Sequence, residues 1–132
     1  MTTSNTSPFL RRVLLADAAT SGASGLLMTL APGALEDWLG VPAGLLRYAG
    51  LSLLPFAALV AYLATRPAPP RAAVWAVIIL NLLWAADSIL LVAGGWLGPT
   101  PLGYAFVIAQ ALVVAAFAEA QYIGLRRSPA TA

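Results

Sequence analysis

Residues 72–92 read AAVWAVIILNLLWAADSILLV. A helix of about 20 apolar residues crosses a hydrocarbon core of about 30 Å, and this run has that length. Yet Asn81, Trp84, Asp87 and Ser88 interrupt a background of Val, Ile, Leu and Ala. Two other readings fail. A strand of a membrane barrel alternates lipid-facing and lumen-facing residues over about ten positions, and this run does not alternate. A helix of a soluble bundle carries a polar face wide enough to meet water, which four polar residues do not supply.

Three more runs of the same kind lie on either side, at 13–31, 45–64 and 102–125. Of the 132 residues, 61% are hydrophobic and only 9% charged, against roughly a quarter charged in a soluble domain. The expected fold is all-α: one transmembrane domain over 1–132, four transmembrane helices in an up-down bundle, and no soluble appendage. The first run follows Arg11 and Arg12 as a signal peptide would. It is longer than a signal core and contains Asp17, so a retained helix is expected.

All seven basic residues are Arg. Arg11, Arg12, Arg66, Arg71, Arg126 and Arg127 fall on one side of a four-helix chain, and only Arg47 on the other, with Glu36 and Asp37. The positive-inside rule then places both termini in the cytoplasm and opposes dual topology. The expected location is a bacterial cytoplasmic membrane, multi-pass. The scattered arginines form no stripe, so no nucleic acid is expected despite a pI near 9.5. With no Cys and no His, disulfides, thiol chemistry and Fe–S ligation are excluded, as are ordinary haem and zinc ligand sets. No cofactor or metal is expected.

The connections fit this arrangement. LATRPAPPRAA is a proline-stiffened turn, and GGWLGPTPLG is a tight one. APGALEDWLGVPAGLL is long enough for a short helix on the outer surface. Trp38, Tyr48, Trp96 and Tyr104 are expected at the outer interface, with Trp75 and Tyr122 near the inner one. WLGVPAGLLRYA and WLGPTPLGYA share a phrase, which either records a duplicated hairpin or reflects two loops with the same needs.

The polar residues within the runs are the candidate site. At about 1.5 Å per residue, Asp17 and Glu119 form an inner layer, Asn81 falls near the midplane, and Asp87 and Gln110 lie in the outer leaflet. An ionised carboxylate at mid-membrane costs on the order of 3 kcal/mol. Asp87 can escape that cost as a neutral acid bonded to Gln110 or Asn81, in a water-filled cavity, or beside a partner's cation. Asp17, Ser21 and Ser24 share one helix face, and Ala18, Gly22 and Gly25 form a neighbouring stripe of small residues. Asn81, Trp84 and Ser88 share a face of the third long helix, and Asp87 is turned away from Asn81 by about a third of a circle. Gln110 and Gln121 share a face, with Glu119 opposite Gln110. These groups do not obviously converge on one axis. Glu119 either snorkels toward Arg126 and Arg127 or joins the site. Pro55 can kink the second long helix, and Trp84, near mid-membrane, either belongs to the candidate site or fills core.

The stretches LRRVLLADAATSGASGLL, WLGVPAGLLRYAG and AVWAVIILNLLWAADSILLV resemble the small four-helix integral membrane proteins of GC-rich bacteria. The resemblance is one of general pattern, carries no catalytic motif, and implies a four-helix bundle. Small multidrug transporters are similar in length and have an acid in the first helix, but the pattern around theirs is absent here. No nucleophile–base pair, metal set or phosphate loop is present, so no enzyme is expected. The favoured function is a structural or accessory subunit. It would dock against lipid and another membrane protein, or self-associate through Ala18, Gly22 and Gly25. The alternative is a small transporter or binder of a hydrophobic or cationic solute, with Asp87 and Asp17 as counter-ions.

Overall fold

A computed structural model describes residues 7–95 and 97–128. Among these the chain forms five helices and no strand: α1 Pro8–Leu30, α2 Pro32–Leu39, α3 Ala43–Thr65, α4 Arg71–Ala93 and α5 Pro101–Arg127. The four long helices are each long and apolar enough to cross a membrane. The short α2 occupies the longer connection, as its length suggested.

Helix starts follow local chemistry. Ser7 caps α1, its Oγ accepting from the Leu10 N–H at 3.2 Å, and Pro8 supplies a first residue with a preset φ. The helix therefore begins five residues before the apolar run at 13–31, with Arg11 and Arg12 wound into its first turns. Thr100 and Pro101 start α5 in the same way, Thr100 Oγ1 accepting from the Gly103 N–H at 3.0 Å. Pro55 lies inside α3 without dividing it.

The long helices pack as two pairs, α1 with α3 and α4 with α5. The pairs are joined mainly through α1 and α5; α3 and α4 share few contacts, and α1 and α4 nowhere bring Cα atoms within 8 Å among the described residues. Glycines set the close approaches. A Cβ on Gly50 would lie 2.8 Å from Met28 Cβ, and one on Gly25 would lie 3.1 Å from the Gly50 carbonyl. The stripe offered by the sequence for self-association is thus taken up by α3 of the same chain at Gly22 and Gly25. On the other seam, a Cβ on Gly124 would meet Leu10 Cα at 2.9 Å.

The end of the bundle that carries the termini is sealed. Leu10, Leu14, Val60, Leu63, Val74, Val77, Ala118 and Leu125 form one apolar core there. Ser7 N–H donates to Ser128 Oγ at 3.0 Å, and Arg71 Nη1 donates to the Leu125 carbonyl at 3.1 Å. At the far end α2 lies across the bundle, burying Leu35 and Leu39 with Met28, Val41 and Leu46. Gly40 ends α2 in a left-handed conformation, φ +71°, a position only glycine takes without strain. Thr100 then clamps α2 to α5: its N–H donates to the Leu39 carbonyl at 3.0 Å and its hydroxyl to the Trp38 carbonyl at 2.7 Å. There is no room on Gly103, where a Cβ would run into the Leu39 carbonyl oxygen.

The repeated Trp-Leu-Gly phrase does not repeat in the backbone. Gly40 has positive φ whereas Gly98 does not, and Trp38 and Leu39 lie inside α2 whereas Leu97 lies in the connection after α4. Trp96 lies outside the described residues. Trp38, Tyr48 and Tyr104 are exposed toward the far end, and Trp75 packs edge-on against Tyr122 with centroids 5.6 Å apart.

Candidate functional site

Three polar side chains meet inside the bundle, one each from α1, α4 and α5. Asp17, Asn81 and Gln121 are 1%, 3% and 0% exposed. Asn81 Nδ2 donates to Asp17 Oδ2 at 2.8 Å and to Gln121 Oε1 at 3.1 Å. Gln121 Nε2 closes the ring by donating to Asp17 Oδ2 at 2.6 Å, and Ser21 Oγ donates to Asp17 Oδ1 at 3.0 Å. Three donors therefore converge on one carboxyl group, and Asn81 uses both of its amide hydrogens. The ring ties α1 to α4 by side chains alone.

Above the ring the two helix pairs part. The space between them is a cavity of about 510 Å³ running up to Leu39, Val41 and Leu97 under α2. Asp17 and Asn81 form part of its floor. Its walls are mostly apolar, from Leu53, Phe56, Leu80, Leu91, Phe106, Val113 and Phe117, and carry scattered polar groups: Thr20, Ser24, Ser52, Trp84, Asp87, Ser88 and Gln110. That composition, apolar with a few directed polar groups, is typical of small-molecule sites. No arginine lines it, and its acids are Asp17 and Asp87.

The structure departs from the sequence reading at several of these residues. Asn81 does not pair with Asp87 but with Asp17, which the sequence placed in a different layer. A depth measured from Arg12 places Asp17 too near the helix start, because α1 begins at Pro8. Asp17 then lies nine residues, about 14 Å, into its helix, level with Asn81 at about 15 Å into α4. Gln110 does not reach Asp87 either. Its Oε1 accepts from Trp84 Nε1 at 2.9 Å and its Nε2 donates to the Val107 carbonyl at 3.0 Å, so Trp84 is a hydrogen-bonded cavity wall rather than plain core filling. Asp87 is exposed at the cavity margin, with no hydrogen bond or ion pair among the described residues. Glu119 is exposed on the outer face of α4 and α5, in a shallow depression with Trp75, Leu82, Leu112, Ala115, Ala116 and Tyr122. It does not join the ring.

Gln121 was the residue overlooked as a site member. The signal was available: it stands about 8 Å before Arg126, the same reckoning that put Asp17 about 8 Å beyond Arg12. Among the described residues no group of three acidic, His or Cys side chains could hold a metal ion. Comparison with protein-family models, curated proteins and solved structures finds no match.

Proposed function

We propose that the chain is a multi-pass protein of a bacterial cytoplasmic membrane that holds a small, largely apolar solute between its two helix pairs. Membrane insertion is supported by the outward faces. Only 17% to 22% of each apolar window is buried within the bundle, so most of its apolar surface needs an apolar solvent. The six-to-one arginine distribution supports cytoplasmic termini. The general pattern shared with small four-helix proteins of GC-rich bacteria agrees with this setting.

The observation that carries the ligand reading is the cavity of about 510 Å³ with the Asp17–Asn81–Gln121 ring at its floor. The sequence favours an accessory subunit because no convergent site is visible in it; the cavity between the helix pairs, apolar with scattered polar groups, supports a binder instead. The accessory reading keeps one support of its own, the exposed Glu119 in an apolar depression on the outer face.

Native mass spectrometry of the protein released gently from its membrane separates the two readings. A retained small molecule, lost when Ser24→Phe fills the cavity, is the expected result. A second protein in fixed ratio, with no small molecule, would replace the binder by the accessory subunit. Cysteine labelling at Ser128 and Asp37 tests orientation: Asp37→Cys is expected to react from outside and Ser128→Cys only from inside.

A further inference from the structure

We propose that the cavity selects a monovalent cation with an apolar body, and that Asp87 is its counter-ion. The proposal rests on the ligand reading above and adds to it the charge of the ligand and the residue that reads it.

The argument starts from which charges are already spent. Asp17 is fully engaged, with Ser21 on one oxygen and Asn81 and Gln121 on the other. A ligand cation would have to displace a donor to reach it. Asp87 has no hydrogen bond or ion pair among the described residues and sits on the cavity wall. No arginine lines the cavity beside it. Arg47, the one arginine toward the far end, donates through Nε to the Thr29 carbonyl at 3.4 Å. The other six belong to the terminal end, where Arg12 is exposed on α1, Arg11 and Arg71 donate to backbone carbonyls and Arg66, Arg126 and Arg127 lie over the rings of Tyr62, Tyr122 and Phe9.

A wall with carboxyl groups and no basic side chain favours positive charge, and low-polarity surroundings strengthen that preference. The single unengaged carboxyl group sets the valence at one. The ligand body is set by the rest of the wall. Leu80 and Leu91 flank Asp87 on the same stripe of α4, and Trp84, also on the wall, is an aromatic side chain of the kind that attracts cations. Entry is lateral. A packed core fills the terminal end and α2 covers the far end, while α3 and α4 share few contacts and their exposed residues Ser52 and Asp87 both line the cavity.

The test uses the full chain in uncharged nanodiscs and two probes sharing one body, 4-phenylbutylammonium and 4-phenylbutanol. Binding is read by titration calorimetry, with empty discs subtracted. The expected result is saturable binding of the ammonium at least tenfold tighter than that of the alcohol. Asp87→Asn should abolish the difference without moving the melting temperature, and Asp87→Glu should restore most of it. Equal binding of both probes, lost together in Ser24→Phe, would overturn the cation proposal and leave the cavity reading standing. No saturable binding of either probe would overturn both. A preference for the ammonium that survives in Asp87→Asn would also overturn the assignment, since another group would then be reading the charge.

Discussion

Replacing Asn81 by Leu, alone and together with Gln121→Leu, tests whether the buried ring acts as a unit. Three interhelical hydrogen bonds make the ring: Asn81 to Asp17, Asn81 to Gln121, and Gln121 to Asp17. Asn81→Leu removes the first two and Gln121→Leu the last two. The double variant removes all three, so the bond shared between the single variants is lost only once. Interhelical hydrogen bonds in membranes average about 0.6 kcal/mol and reach about 1.7. Each single variant should therefore lose about 1–3 kcal/mol, since leucine is close to either side chain in size and gains little transfer energy where the alternative solvent is lipid. The double variant should be less destabilised than the sum of the singles by about 1 kcal/mol, which is the shared bond. The assay is reversible unfolding in mixed micelles, with helicity followed as the denaturing detergent fraction rises. Strict additivity would refute the ring, because it would mean that Asn81 and Gln121 do not touch in the folded protein.

Glycine substitutions separate close approach from simple helix propensity. Gly124→Ala should cost about 1–3 kcal/mol, because its Cβ would sit 2.8 Å from Leu10 Cβ and force α1 and α5 apart. Gly44→Ala has nothing within 4 Å and should stabilise by up to about 1 kcal/mol; the same unfolding assay reads both. Thr100→Val removes the hydroxyl that caps α5 and holds the Trp38 carbonyl. It should cost about 1–2 kcal/mol and speed hydrogen exchange in α2 while leaving the core of α4 protected.

The four long helices were legible because nothing else explains uninterrupted apolar runs separated by proline and arginine. Their starts were less so. Hydropathy places the start of α1 at Val13, but Ser7 and Pro8 place it earlier, since capping chemistry acts independently of how greasy the first turn is. That offset carried into the site. Asp17 and Asn81 looked like members of different layers, and Asp87 was left as the acid in need of a partner. Helical periodicity tells which residues share a face of one helix. It does not tell how two helices are rotated toward each other, and the ring depends on three such rotations at once. Gln121 shows the same limit. Its neighbour Glu119 drew attention by its charge, yet faces outward, while the neutral amide two residues on is completely buried.

The position of the ring explains why the bundle can hold a cavity at all. Apolar helices in lipid gain little from burying apolar surface against each other, so close packing and interhelical hydrogen bonds must hold them. Below the ring, packing suffices: Gly124 admits Leu10, and the arginines and Ser128 tie helix ends to backbone carbonyls. Above it the cavity separates the pairs, α1 and α4 bring no Cα atoms within 8 Å at any level among the described residues, and α2 with its Thr100 clamp spans the pairs at the far end. Asp17, Asn81 and Gln121 therefore stand at the apex of a wedge, where a few strong directional contacts can fix the angle between pairs that packing leaves free. Apolar residues at these positions would let the pairs close or slide. The polar groups are consequently structural for the wedge, whereas Asp87 on the cavity wall makes no hydrogen bond among the described residues.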